Sequence, residues 1–147
     1  MTVRLSGPTR RRGLPRVDRR LLRKRAAAVL REIGRPEGEL SVHVVDDAEI
    51  AALNSEHRGK PTATDVLSFS LMDGDHSDFR GDLLGDIVIG VETAAHRAER
   101  GARDLDAEIA RLLVHGALHL LGWDHVDASE ARRMRAEERR ILRAIGA

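Results

Sequence analysis

With 147 residues, a third of them charged, and Phe69, Phe79 and Trp123 as its only phenylalanine, tyrosine or tryptophan side chains, the chain is read as a single domain, 1–147, built on one aliphatic core. A net charge of +1 gives no bulk pull toward nucleic acid, and the lack of cysteine excludes disulfides and closed sulfur-ligated metal sites. No apolar run is long enough to cross a bilayer and the N-terminus has no secretory apolar stretch, so a soluble cytoplasmic protein with no membrane partner is expected.

Thr2-Val3-Arg4-Leu5 alternates and predicts an edge strand. Residues 1–16 form a basic segment expected to be partly mobile, with Pro8 to Pro15 as a loop around Arg10-Arg11-Arg12-Gly13. Residues 1–25 carry ten basic side chains against the single acid Asp18, which reads either as a solvated basic face or as an RNA-facing patch. Asp18 caps a helix reaching about Ile33, with Leu21, Leu22, Ala26, Val29, Leu30 and Ile33 inward and Gly34 and Pro36 ending it.

Leu40 to Val45 has strand character. Asp46 with Glu49 predicts the start of a second helix that turns Ile50 and Leu53 inward and ends near His57. His57-Arg58-Gly59-Lys60-Pro61-Thr62 reads as a loop and Asp65 to Ser70 as a strand. Gly59-Lys60 lacks the upstream glycine of a phosphate-binding loop, so no nucleotide cofactor is expected. The acidic stretch Asp73 to Asp82 begins like a calcium loop, but Asp78 and Leu84 stand where the invariant glycine and closing glutamate belong, which excludes that site. Leu83 to Ile89 predicts a strand paired with the previous one as a long hairpin, and Val91 to Arg100 a helix stopped by Gly101. Asp104 or Asp106 caps the next helix. Asp127, with Glu130 three residues on, caps the last, whose Met134, Ile141, Leu142 and Ile145 face the core while its arginines and glutamates form a solvated face. Four strands interspersed with five helices give an α+β fold with one small mixed sheet.

The chemistry concentrates in His115-Gly116-Ala117-Leu118-His119-Leu120-Leu121-Gly122-Trp123-Asp124-His125. Residues four apart on a helix share a face, so His115 and His119 can converge on one ion. His125 must be brought round by a bend, and Gly122 is placed to make it. From Ile109 to Leu121 the helix is apolar on nearly every side, and two imidazoles on a buried helix call for a partner such as a divalent metal. His115, His119 and His125 are therefore the expected metal ligands, leaving the fourth position open as in catalytic zinc sites. The protease version of this pattern carries a glutamate general base after the first histidine; here that position is Gly116.

Together with Leu53-Asn54, Arg58-Gly59, Thr64-Asp65-Val66-Leu67-Ser68-Phe69 and Leu84-Gly85-Asp86-Ile87-Val88-Ile89, the histidine stretch makes the sequence resemble the YbeY family from about residue 40 onward. The resemblance implies a metal-dependent, single-strand-specific endoribonuclease with a mixed sheet flanked by helices. It further implies work on the 3′ end of small-subunit ribosomal RNA and in ribosome quality control, with the small ribosomal subunit and its assembly factors as partners. It assigns zinc to His115, His119 and His125, and an activity-bearing arginine to Arg58. The N-terminal forty residues match only loosely, and His57 stands where the family has tyrosine, either as a further imidazole near the site or as an exposed residue.

Arg58 suits bidentate grip of a phosphate, the alternative being a salt bridge to Asp65. Lys60 and Ser68 join it as expected substrate contacts, Ser68 otherwise filling the sheet. Asp124 either orients a histidine or accepts a proton. Asp86 reads as buried support and Met134 as core. Nickel or another transition metal would also suit imidazole ligands. A metalloprotease-like or other metal hydrolase, and a non-catalytic assembly factor with a structural metal, are the competing readings.

Overall fold

The alternation in Leu40–Val45 and the apolar run after Leu83 become the two central strands of a four-stranded sheet. The computed structural model describes residues 2–8, 12–70, 83–124 and 126–147. In chain order the elements are β1 (Thr2–Ser6), α1 (Arg19–Glu32), β2 (Glu39–Val45), α2 (Asp47–Arg58), β3 (Val66–Ser70), β4 (Leu83–Gly90), α3 (Val91–Arg100), α4 (Leu105–Leu120) and α5 (Ala128–Ala144). The strands lie in the order β1-β2-β4-β3; β1, β2 and β4 run parallel, and β3 is antiparallel to β4. The expected α+β class with one mixed sheet is what the chain adopts. The acidic stretch 73–82, on which the calcium loop was rejected, lies outside the described residues.

One face of the sheet is covered by α1 and α4. Leu40, Val42, Val44, Ile87 and Ile89 meet Leu22, Val29 and Leu30 of α1 and Leu112, Leu113, Ala117 and Leu120 of α4 in one cluster, with Met134 and Ile141 of α5 closing it. The other face holds a smaller cluster in which Ile50 and Leu53 of α2 lie on Val45, Leu67, Val88 and Phe69. Burying a leucine or isoleucine side chain contributes about 1.5–3 kcal/mol, so the larger cluster carries most of the stability. A register shift between Glu39 and Leu40 pairs them with Leu83 and Gly85 and leaves Leu84 over. The bulge puts Leu84 and Ile87 into the α4-side core together.

Four helices begin on an aspartate side chain that accepts an N–H three residues on: Asp18 from Leu21, Asp46 from Glu49, Asp104 from Ala107 and Asp127 from Glu130. Of the two candidates before α4, Asp104 is the cap. Asp106 reaches instead to the Asp18 backbone N–H at 3.2 Å and ties the start of α1 to α4. Two basic residues near the N-terminus work inside the fold. Arg19 and Arg23, one helical turn apart, donate to the Leu5 and Val3 carbonyls of the edge strand at 3.3 and 2.7 Å. Among the described residues, no helix is long and apolar enough to cross a membrane.

Candidate functional site

Helix α4 is the spine of the site. It is buried along almost its whole length, including Gly116. A Cβ at position 116 would stand 3.0 Å from Ile87 Cγ2 and 3.0 Å from Ser68 Oγ, so the glycine lets the helix lie directly on β3 and β4. That contact is reinforced by two serines on the same side of β3. The Ser68 hydroxyl donates to the Gly116 carbonyl at 3.2 Å, and the Ser70 hydroxyl to the Leu120 carbonyl at 3.1 Å. A glutamate at position 116 would have to enter this seam, so the protease base is missing for a packing reason.

His115 and His119, one turn apart on α4, direct their Nε2 atoms at each other across 3.1 Å. Two ligands at about 2.0–2.1 Å on a tetrahedral zinc stand about 3.3 Å apart, so the pair has the spacing of two donors to one ion. Glu138 Oε1 lies 2.7 Å from His115 Nδ1. A carboxylate only accepts, so Nδ1 carries a proton, and in the neutral ring Nε2 then keeps the lone pair that a metal requires. The Glu138 side chain is 13% exposed. It belongs to α5, where sequence reasoning assigned every glutamate to a solvated face; that assignment is corrected for this residue. Met134 is 2% exposed and sits in the core, as expected.

After Leu120 the chain turns as predicted. Gly122 has φ 95°, its N–H donates to His119 O at 3.0 Å, and Trp123 N–H donates to Leu118 O at 3.1 Å. This pair of bonds is a Schellman ending, with the glycine in the left-handed position and the next side chain folded back on the helix. The third expected ligand, His125, lies outside the described residues. Among the described residues, no three His, Cys, Asp or Glu side chains are gathered for a metal. The fit to a metal therefore rests on the Nε2 pair and on the carboxylate behind it.

A cleft of about 550 Å³ opens over the two histidines, walled by Arg58, Thr64, Asp65, Val66, Leu67, Ser68, Ser70 and Asp124. It brings together Arg58, Ser68, Asp124, His115 and His119 from positions up to sixty-six residues apart in sequence. Lys60 is exposed and not among those walls. Arg58 occupies the last turn of α2, one residue further into the helix than expected. The loop after it is pinned by Asn54, whose Nδ2 donates to Thr62 O at 2.9 Å. Asp65 does not take Arg58 as its ion partner; Arg97 Nη1 bridges it at 2.9 Å. The single proton of the Ser68 hydroxyl is committed to Gly116, so donating to a phosphate would require breaking that bond. His57 packs its ring against Phe69, with centroids 4.8 Å apart, and is not a cleft wall. Asp86, half-exposed rather than buried, holds His43 Nε2 at 2.9 Å.

Behind the site, Glu108 is fully buried between Arg103 at 2.9 Å and Arg111 at 2.6 Å. Burial alone would raise its pKa. The hydrogen bond and charge of Arg111, then those of Arg103, outweigh that and hold the carboxyl below the usual glutamate range. The same hydrogen bond, donated by Arg111 to Glu108, raises the arginine's pKa against its own partial burial.

The family model described as Endoribonuclease YbeY matches residues 14–146, starting well before the motifs read from about residue 40. An Endoribonuclease YbeY of Anaeromyxobacter sp. (strain Fw109-5) is 50% identical over 146 residues, 99% of this chain and 73% of that one. An Endoribonuclease YbeY of Carboxydothermus hydrogenoformans is 46% identical over 133 residues, covering 88% of this chain and 90% of its own. The solution structure of TM1509 from Thermotoga maritima superposes with a TM-score of 0.64 at 26% identity, covering 97% of this chain and 88% of that one.

Proposed function

The chain belongs to the YbeY endoribonuclease family, and on that premise we propose that it cleaves single-stranded RNA with a zinc ion held by His115, His119 and His125. We place its work in the cytoplasm, in maturation of the 3′ end of small-subunit ribosomal RNA and in ribosome quality control, alongside the small subunit and its assembly factors. The observation that carries the metal is the 3.1 Å convergence of the two Nε2 atoms in the floor of a cleft that also holds Arg58.

When bound, zinc supplies Lewis acidity toward a phosphoryl oxygen and acidifies a bound water to a pKa of about 7. The remaining work falls to the chain itself. RNA cleavage builds negative charge on the non-bridging oxygens of the scissile phosphate. Arg58, on the cleft wall, meets that charge with a two-pronged guanidinium that lysine would not match. Asp124, on the same cleft, orients a histidine or takes up a proton. Lys60 draws the strand toward the opening from outside it. The imidazole donor set without sulfur suits zinc, and nickel or another transition metal would also bind it.

The test is cleavage of an unstructured RNA by metal-loaded protein, with casein as control. RNA is cut and casein is not; activity is lost with a chelator or with His119→Ala and falls sharply with Arg58→Ala. End-group analysis of the products identifies the nucleophile, since attack by the RNA's own 2′-hydroxyl leaves a 2′,3′-cyclic phosphate. A chelator-sensitive cut in casein with RNA intact would overturn the proposal.

A further inference from the structure

Beside the metal cleft lies a second hollow of about 270 Å³, lined by Gly122, Trp123, Asp124, Glu130 and Arg133. Asp124 is a wall of both spaces, so the two adjoin. We propose that this hollow is a nucleobase pocket that takes one base of the RNA strand flanking the cleavage site. The proposal rests on the ribonuclease reading above and extends it.

Three features support the assignment. First, an aromatic ring is at hand: Trp123 follows the left-handed Gly122, its backbone N–H donates to Leu118 O at 3.1 Å, and its side chain packs against the core. It is a half-buried ring lining the hollow, and base–aromatic stacking needs a platform of this kind. Second, the polar lining offers acceptors: Asp124 and Glu130 place two carboxylates in the hollow beside the guanidinium of Arg133. Carboxylates accept hydrogen bonds from exocyclic amino groups, which guanine, adenine and cytosine carry and uracil lacks, leaving uracil only its ring N3–H. Third, Glu130 is anchored in the first turn of α5, its N–H bound to Asp127 Oδ1 at 2.8 Å. The pocket is thus built on two helix ends, and Asp124 forms the wall it shares with the cleft.

Trp123 is the sole tryptophan, so its fluorescence reports this pocket directly. Full-length metal-loaded protein is titrated with GMP, AMP, CMP, UMP and ribose 5-phosphate. The first three quench the signal saturably, UMP does so weakly, and ribose 5-phosphate does not. Equal quenching by ribose 5-phosphate, or none by any nucleotide, overturns the proposal. In cleavage assays, Trp123→Leu raises KM about 5- to 150-fold, the loss expected for one stacked base, while kcat stays within about twofold; Trp123→Phe restores KM. Glu130→Gln narrows the gap between GMP and UMP. Should Trp123→Leu fail to fold, as judged by its melting curve, the wild-type titration still decides. RNA cleavage without nucleotide quenching defeats the pocket and spares the ribonuclease reading; quenching without RNA cleavage does the reverse.

Discussion

Replacing Glu138 by glutamine separates a carboxylate that prepares a metal ligand from one that merely decorates a helix. The wild-type contact is a 2.7 Å bond from His115 Nδ1, with the carboxylate side chain 13% exposed, so water screens it poorly. Glutamine offers a neutral, weaker acceptor, and in its flipped orientation donates to Nδ1. That flip would move the proton to Nε2 and block the metal-binding lone pair. Loss of such a supporting partner costs about 10–100-fold in metal affinity, or about 1.4–2.8 kcal/mol. The low exposure places Glu138→Gln toward the upper end. At a fixed free zinc concentration well above Kd, each tenfold weakening removes about 1.4 kcal/mol of metal-linked stability, a drop in Tm of about 3–6 °C for a domain of this size. Competition against a chromophoric chelator gives the affinity, and melting with and without zinc gives the linked stability. The metal-induced rise in Tm should shrink in the variant while the metal-free Tm moves less. Zinc affinity within twofold of wild type would refute the role assigned to Glu138.

The remaining expectations concern the seam, the buried ion pairs and the cleft. Gly116→Ala gains about 1 kcal/mol of helix propensity but forces a Cβ to 3.0 Å from Ile87 and Ser68, an overpacking of about 1–3 kcal/mol; urea unfolding should show net destabilisation, and a more stable variant would mean the seam has room. Glu108 has a folded-state pKa depressed below 4.5, so its contribution is complete above that value and is lost as pH falls below it. Glu108→Gln should lower stability at pH 7 by about 1.5–3 kcal/mol and flatten its decline in that acidic window; an unchanged slope in urea titrations at pH 3 to 5 would count against the buried pair. Arg58→Lys keeps the charge but loses the fork, so RNA cleavage should fall at least about tenfold with an unaltered melting curve, and full activity in the lysine variant would reduce Arg58 to a point charge.

Most of the fold could be read from the sequence because its determinants are local. Asp18, Asp46 and Asp127 were identifiable as caps since capping acts over three residues, and Gly122 as the bend since it falls just beyond the last apolar position of α4. Asp104 and Asp106 were not separable by the same logic. Either precedes the helix acceptably, and what decides is a contact between Asp106 and Asp18, eighty-eight positions apart. The gathering of Arg58, Ser68 and Asp124 around the histidines was likewise inaccessible to spacing, because sheet order and the α4 seam create it; the family resemblance, rather than periodicity, pointed to Arg58.

Glu138 was obscured for a different reason. Its neighbours Glu137, Arg139 and Arg140 are charged, and Arg140 does bridge Glu137 and Glu32 near the surface, so the composition of that stretch reads as solvent-facing. The positional signal was nevertheless present. Met134 and Ile141 are buried, and position 138 falls four residues after one and three before the other, on the same stripe of α5. A carboxylate on an apolar stripe must find a donor or bear the cost of burial. The donors on the neighbouring helix α4 are the imidazole of His115 and, one turn before it, the guanidinium of Arg111, so reading each charged residue by its angular position on the helix, before reading it by its charge, turns Glu138 toward α4, while which donor it meets is settled by the packing of the two helices.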